Sequence, residues 1–184
     1  MSNRLSKIYT RTGDKGSTGM ADGSRVDKDD LVIQAIGDVD ELNSQLAVLA
    51  CHSPEKFVES IKAIQNELFN VGAELTMGEA VVEQGNVDCL EQSLDELNQQ
   101  LTPLKEFILP GGGLASSHCH VARAVCRRAE RSLVSLNRAK PISKELMAYI
   151  NRLSDYLFVL ARAMSEEVGE EEVYWQSAKL NKDN

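Results

Sequence analysis

Aromatic residues are scarce in this chain of 184 residues: they fill 5% of positions, and only one is Trp. The apolar content is mostly aliphatic, and Leu, Ala, Glu, Gln and Arg recur, which favours helix. Long apolar runs are missing too. None exceeds the length of Tyr156 to Ala161, far short of the roughly 20 residues that span a bilayer, so no membrane segment is expected. The opening "MSNRLSK" has no apolar core of a secretory signal, which leaves the cytoplasm as the default location. Positive charge is not in excess. The formal net charge is −8, which argues against a nonspecific nucleic-acid binder.

Cysteine is sparse: Cys51, Cys89, Cys119 and Cys126, none in a C-x-x-C pair. Disulfides are not expected in a cytoplasmic setting. Cys119 and Cys126, with His118 and His120 nearby, raise the question of a metal site. Adjacent residues of "HCH" point to different sides of a helix, so small buried thiols are the better reading and no metal ligand is assigned. Glu-x-x-His is absent, which disfavours a ferritin-like di-iron centre.

The charge that is present is unevenly spread. Residues 1–28 hold six basic and three acidic side chains, and residues 115–138 hold five arginines and one glutamate. The remainder holds nine basic and 24 acidic residues. Two basic islands in an acidic chain fit either solvated faces or one anion site built from both.

Periodicity gives five helices behind a looped arm. Residues 1–27 carry Gly13, Gly16, Gly19 and Gly23 and no helical spacing. A first helix is expected from about Asp27–Asp30 to Cys51, with Leu31, Ala35, Val39, Leu42, Leu46 and Leu49 inward. A second runs from Pro54 or Glu55 to Thr76 on Val58, Ile61, Ile64, Leu68, Val71 and Leu75. A third spans about Val87 to Leu101. The stretch "TPLKEFILPGGGLASS" excludes a regular helix through its prolines and glycines. A fourth helix covers about Ser116 to Arg138, with Val121, Val125, Ala129, Leu133 and Leu136 inward. A fifth starts after Ser143 and runs to about Glu167. The acidic tail is expected to fray at its end. The fold class is all-α: a five-helix up-and-down bundle in one domain, with the arm over 1–27, the bundle over 28–167 and a tail over 168–184.

Chemistry gathers on two of these elements. On the fourth helix Arg123, Arg127 and Arg131 are four apart and form one stripe, with Glu130 beside it and Arg128 rotated about 100° away. Like charges so spaced need compensation, either from carboxylates of a neighbour or from a bound anion, and the spacing leaves both open. In the arm, "YTRTGDKGSTG" (Tyr9 to Gly19) combines glycines that let backbone amides approach phosphate with Arg11, Lys15 and several hydroxyls. It lacks the Walker order G-x-x-x-x-G-K-[ST]. An all-α adaptor and an ATP-hydrolysing protein are the competing classes at this point. The first predicts no saturable ATP binding, the second ADP or phosphate as product.

Six motifs in one order sharpen this: "YTRTGDKGSTG", "KDD" at Lys28–Asp30, "VDELNS" at Val39–Ser44, "FILPGG" at Phe107–Gly112, "AVCRRAER" at Ala124–Arg131 and "NRLSDYLFVLAR" at Asn151–Arg162. Together, over about Ile8 to Glu166, the chain closely resembles the PduO-type ATP:cob(I)alamin adenosyltransferases. The resemblance implies a homotrimer of five-helix bundles with ATP sites between subunits. It implies transfer of the adenosyl group of ATP, taken with Mg²⁺, to the cobalt of cob(I)alamin, with release of triphosphate. A transient reductase and an acceptor enzyme would be the further partners.

Carried over by motif, the resemblance implies that Thr10, Arg11, Thr12, Gly13, Thr18 and Gly19 wrap ATP and that Lys28 reaches its phosphates. It implies that Arg127, Arg128, Ala129, Glu130, Arg131 and Asn151 line the nucleotide site. Asp40 would orient an arginine such as Arg127 across the subunit boundary. Arg127, Glu130, Arg131 and Asp40 are the implied catalytic set. Phe107 would pack under the corrin and keep a ligand off the lower face of cobalt. Two positions depart from the family pattern, Asp38 where Thr is usual and Asp27 where Pro is usual. Each adds a carboxylate near the anion site.

Overall fold

A computed structural model describes residues 8–176. Two short strands, β1 (Ser17–Gly19) and β2 (Arg25–Asp27), precede five helices: α1 (Leu31–His52), α2 (Glu55–Met77), α3 (Gln84–Asn98), α4 (Gly113–Ala139) and α5 (Lys144–Glu167). The helices pack as α2–α1–α4–α5–α3, so α4 sits between α1 and α5 at the centre of the bundle. The expected five-helix, up-and-down architecture is what forms.

Local chemistry sets most helix ends. Asp30 caps α1, accepting from the Val32 N–H at 2.9 Å, and Ser143 caps α5, accepting from Leu146 at 3.0 Å. Both oxygens satisfy amides that a helix start leaves bare. α2 ends on Gly78 with φ +74°, the left-handed closure that favours glycine. α3 begins and ends about three residues earlier than its leucine register suggests. Glu83 and Asn86 form a reciprocal cap at its start, and this pairing departs from the usual Ser/Thr-x-x-Glu signal. α4 also starts earlier, at Gly113. Gly112 and Gly113 both have φ +85°, and "LASS" behind them is helical rather than loop.

The apolar stripes meet in one aliphatic core. Leu42, Leu46, Leu49, Ile61, Leu68, Leu133, Leu146, Ile150, Leu153, Leu157, Leu160 and Met164 are fully buried. Three stripe positions differ from the sequence expectation. Leu31 and Val121 face solvent, while Val58 is only partly covered. Val32 and Phe57, one residue away from the expected Leu31 and Val58, are buried instead. Real helix faces rotate by about a residue where a neighbouring helix approaches off-centre. Cys119 and Cys126 are buried, and their thiols donate to the carbonyls of Leu157 and Ile150. Burial pushes both thiols up, Cys126 to about 12, so these sulfurs are packing groups. His118 stacks on His52 while His120 turns toward Phe158, confirming that "HCH" splits to different sides.

Glu74 ties three elements together. Its carboxylate accepts from the N–H groups of Val81, Val82 and Ser143 at 2.9, 3.0 and 3.3 Å. Burial alone raises its pKa, but the bonds from Ser143, Val81 and Val82 outweigh it and hold the group below the usual carboxylate range. The tail's last residues, 177–184, lie outside the described residues, as do residues 1–7. Before them, residues 170–176 return across the bundle end, where Ile108 and Tyr174 form an antiparallel bridge.

Candidate active site

The arm is a small folded unit. β1 and β2 pair antiparallel, with Thr18 opposite Val26, and Val26 and Met20 rest on the core. Arg25, which the sequence reading did not single out, organises the loop before β1. Its Nη2 donates to the carbonyls of Thr12 at 2.7 Å and Ser17 at 2.9 Å, and its guanidinium also reaches the Ser17 hydroxyl. The amide of Gly16 closes on the Gly13 carbonyl at 3.1 Å, and the Lys28 amide on the Gly16 carbonyl at 2.8 Å. A Cβ at Gly13 would lie 3.3 Å from the Lys28 Nζ, so glycine lets the ammonium sit directly against the loop backbone. Thr10 and Thr12 share a hydroxyl bond at 2.9 Å. Arg11 holds φ +60°, rare for a side chain with a Cβ, and lies over the Tyr9 ring at 5.5 Å. Backbone strain of this kind clusters at ligand clamps. The structure therefore brings Thr12, Gly13, Ser17 and Lys28 to one small loop, with Thr18 and Gly19 in the adjoining strand.

The arginines of α4 divide by role. Arg128 bonds Asp38 at 3.3 Å and pairs with Glu41, and Asp38 also takes the Ser132 hydroxyl. Its charge serves the α1–α4 contact within the chain. Arg127 and Arg131 are exposed and have no carboxylate within ion-pair distance among the described residues. Arg131 Nη1 folds back onto the Arg127 carbonyl at 2.9 Å. Glu130 accepts from Asn151 Nδ2 at 2.8 Å, which joins α4 to α5 and orients the amide. Ala129 is 0% exposed, so it belongs to the core and offers the site no side chain. Arg123 and Arg127 edge a groove of about 530 Å³ with Asp155, Phe158 and Arg162. The buried Nε of Arg123 has no partner among the described residues, a feature that stripe spacing alone does not disclose.

Two proximities that the resemblance places across a subunit boundary are not made within one chain. Asp40 does not meet Arg127; among the described residues its carboxylate has no ion-pair partner. Nor does any hydrogen bond or ion pair join Thr10–Gly19 or Lys28 to Arg127, Arg131 or Asn151. Phe107 stands 74% exposed at the start of its loop, edge-on to Trp175 with ring centres 6.3 Å apart.

Residues 8–164 match the family model described as Cobalamin adenosyltransferase. The chain belongs to the cobalamin adenosyltransferase family. It is thus an enzyme of ATP-dependent cobalamin adenosylation. A cobalamin adenosyltransferase of Cupriavidus metallidurans is 48% identical over 179 residues, covering 96% of this chain and 97% of that one. A corrinoid adenosyltransferase of Citrobacter freundii is 45% identical over 166 residues, covering 85% and 93%. Among solved structures, a phenylalanine-to-alanine variant of the PduO-type ATP:corrinoid adenosyltransferase from Lactobacillus reuteri, complexed with cobalamin and ATP, superposes with a TM-score of 0.87. It is 34% identical, and the match covers 93% of this chain and all of that one. An arginine-to-lysine variant of that protein, complexed with ATP, gives 0.86 at the same identity. For this adenosyltransferase the arm and the arginine face of α4 are the two candidate halves of the nucleotide site.

Proposed function

We propose that the two halves meet between protomers of a homotrimer, where the arm of one closes ATP against the arginine face of the next. The observation that carries this is the division among the arginines. Arg128 is neutralised within the chain, while Arg127 and Arg131 face outward with no carboxylate partner among the described residues, beside an Asn151 already held by Glu130. The arm offers Lys28, backbone amides and hydroxyls of the complementary kind. Asp40, without an ion-pair partner among the described residues, would then meet an arginine across the boundary.

The reaction asks little acid–base chemistry of the protein. Cobalt(I) attacks the 5′-carbon of the ribose with its electron pair. The cobalt–carbon bond forms, the carbon–oxygen bond breaks, and triphosphate leaves with that bond's electrons. What remains for the side chains is alignment of two large substrates and stabilisation of charge on the leaving group. Arg127, Arg131 and Lys28 suit the second task, as planar or pointed donors to phosphate oxygens. Among the described residues no group of three or more His, Cys, Asp or Glu is gathered to hold a metal. Mg²⁺ would enter with the nucleotide, held by phosphate oxygens and water and by at most one or two carboxylates of the protein.

Phe107 takes the corrin side. An exposed apolar ring under cobalt would shut out water and ease reduction of Co(II) to Co(I), the electron coming from a reductase. The location inferred from sequence is the cytoplasm, with an acceptor enzyme drawing off the product. Among the described residues no helix is long and apolar enough to cross a membrane. The test is an anaerobic assay with ATP, Mg²⁺ and chemically reduced cobalamin. Adenosylcobalamin and intact triphosphate are expected, and ADP or orthophosphate in their place would sink the reading.

A further inference from the structure

The segment after α5 lies beyond the residues that match the family model, yet it is tied to the Phe107 loop. Gly169, with φ +72°, turns the chain back, and the amides of Gly169 and Glu170 close on the carbonyls of Glu166 and Ser165, both at 3.0 Å. The returning strap then runs antiparallel to residues 107–109. Leu109 N–H donates to the Val173 carbonyl at 2.8 Å, and Trp175 N–H donates to the Phe107 carbonyl at 2.7 Å. Phe107 and Leu109 both face solvent, so neither side chain anchors this loop in the core. Its backbone is held by the strap.

One guanidinium holds the strap. Arg162 on α5 is 5% exposed. Its Nε and Nη2 donate to the two oxygens of Glu172 at 2.5 and 3.1 Å, and Nη2 also donates to the Thr102 carbonyl at 2.7 Å. Thr102 begins the segment that carries Phe107, and Glu172 sits in the strap that pairs with it. A single side chain thus fixes the approach to the loop and its cover. At the far end Gly112 is seated so closely that an added Cβ would lie 2.2 Å from the Ser165 hydroxyl. A buried ion pair is weak evidence for stability, and its better-attested use is to fix one geometry among several.

We propose that Arg162 and Glu172 form a latch that positions Phe107 through the strap. This rests on the corrin role given to Phe107 above. Neither latch residue touches the reacting atoms, so both are positioning residues. Loss of the latch should leave ATP binding and the attack by preformed Co(I) largely intact while impairing the route that starts from Co(II).

The experiment compares wild type, Phe107→Ala, Glu172→Ala, Glu172→Gln and the double variant Phe107→Ala/Glu172→Ala. Each is assayed from Co(II) with a reduced flavin as weak reductant, and from fully reduced Co(I). Glu172→Ala should slow the Co(II) route by about tenfold and the Co(I) route by less than about threefold. Glu172→Gln, which keeps an acceptor oxygen for the guanidinium, should recover part of the loss and serves as the gentler variant if the alanine form does not accumulate. Adding Glu172→Ala to Phe107→Ala should cost little more, since both act through one ring. The EPR spectrum of Co(II) corrinoid on the ATP-loaded enzyme should show more axially ligated cobalt in the Glu172 variants. An unchanged Co(II)-to-Co(I) ratio in both Glu172 variants, or full additivity with Phe107→Ala, overturns the latch. Equal slowing of both routes by Phe107→Ala alone would instead remove the corrin role of Phe107, a separable failure.

Discussion

Replacing Arg131 with alanine separates a structural arginine from a catalytic one, because the two roles differ in size. Within the fold this side chain makes one hydrogen bond, to the Arg127 carbonyl at 2.9 Å, on an exposed helix face. Such a bond contributes about 0.5–1.5 kcal/mol net, less where water competes for it. Its loss is partly offset, because the like charge of Arg127 at i−4 costs an isolated helix roughly 0.2–0.5 kcal/mol. Stability should therefore fall by less than about 1 kcal/mol, a shift in Tm of only about 2–4 °C for a domain of this size. At the leaving triphosphate the same guanidinium would make a charge-assisted bond contributing roughly 1.5–3 kcal/mol, which converts to about 10- to 150-fold in kcat/KM. The measurements are steady-state turnover with saturating cob(I)alamin over a range of ATP, alongside thermal unfolding. Turnover within about threefold of wild type would refute the assignment. So would a Tm loss large enough to account for the lost activity by unfolding. Arg131→Lys should recover only part of the rate, since it keeps the charge and loses the fork.

Glu74→Gln should destabilise the fold by about 1–3 kcal/mol in urea unfolding, because an amide nitrogen would face the Ser143 N–H, while kcat stays unchanged. The pH profile should show the same group. Its depressed pKa means that its contribution is present above the usual carboxylate pKa and is lost as pH falls through the lower folded value. His120 acts in a higher window. Burial, then the nearby Arg123 charge, lowers it to about 4 against a partial opposing pull from Glu172. Between the usual imidazole pKa near 6.5 and about 4 the unfolded chain holds the extra proton, so stability should decline as pH falls across that range, by at most about 3 kcal/mol. Urea titrations of His120→Leu should lack that decline. Gly112→Ala should displace the Phe107 loop, since a Cβ would both clash with Ser165 and require φ +85°. Limited proteolysis at residues 103–112 should become faster, and an unchanged cleavage rate would count against the seating described.

The bundle was legible in the sequence because the aliphatic spacing is regular and the helix ends carry ordinary signals at Asp30, Ser143 and Gly78. The errors lie where an end depends on less common chemistry. The Glu83–Asn86 cap and the two left-handed glycines at the start of α4, Gly112 and Gly113, each moved a boundary by about three residues. Stripe positions were misassigned at Leu31 and Val121, where the true face depends on how the neighbouring helix crosses. The site was legible as residue types more than as geometry. Spacing indicates that Arg123, Arg127 and Arg131 share a face, but not that the Arg123 Nε is buried without a partner among the described residues. Arg25 stands in a three-residue strand with no periodic signal, so its hold on Thr12 and Ser17 appears only in three dimensions. The same is true of Glu172, which reads as one of several acidic tail residues until Arg162 is seen beneath it.

The arrangement of carboxylates on α1 explains how a helix can carry so many arginines and still present a usable anion face. Asp38 and Glu41 lie three apart and therefore on one side of α1, the side that meets α4. They engage Arg128, the arginine rotated off the stripe, and Asp38 also fixes Ser132. Asp38 departs from the family's usual residue, and the extra carboxylate is directed to the α1–α4 seam. Arg127 and Arg131, with no ion-pair partner among the described residues, keep the charge that the proposed nucleotide site requires. Asp40, rotated away from that seam, has no ion-pair partner among the described residues, as the proposed contact across a subunit boundary requires. An Asp38→Asn exchange should therefore loosen Arg128 and lower stability without strengthening ATP binding. A marked gain in ATP affinity would show instead that Asp38 opposes the anion through space.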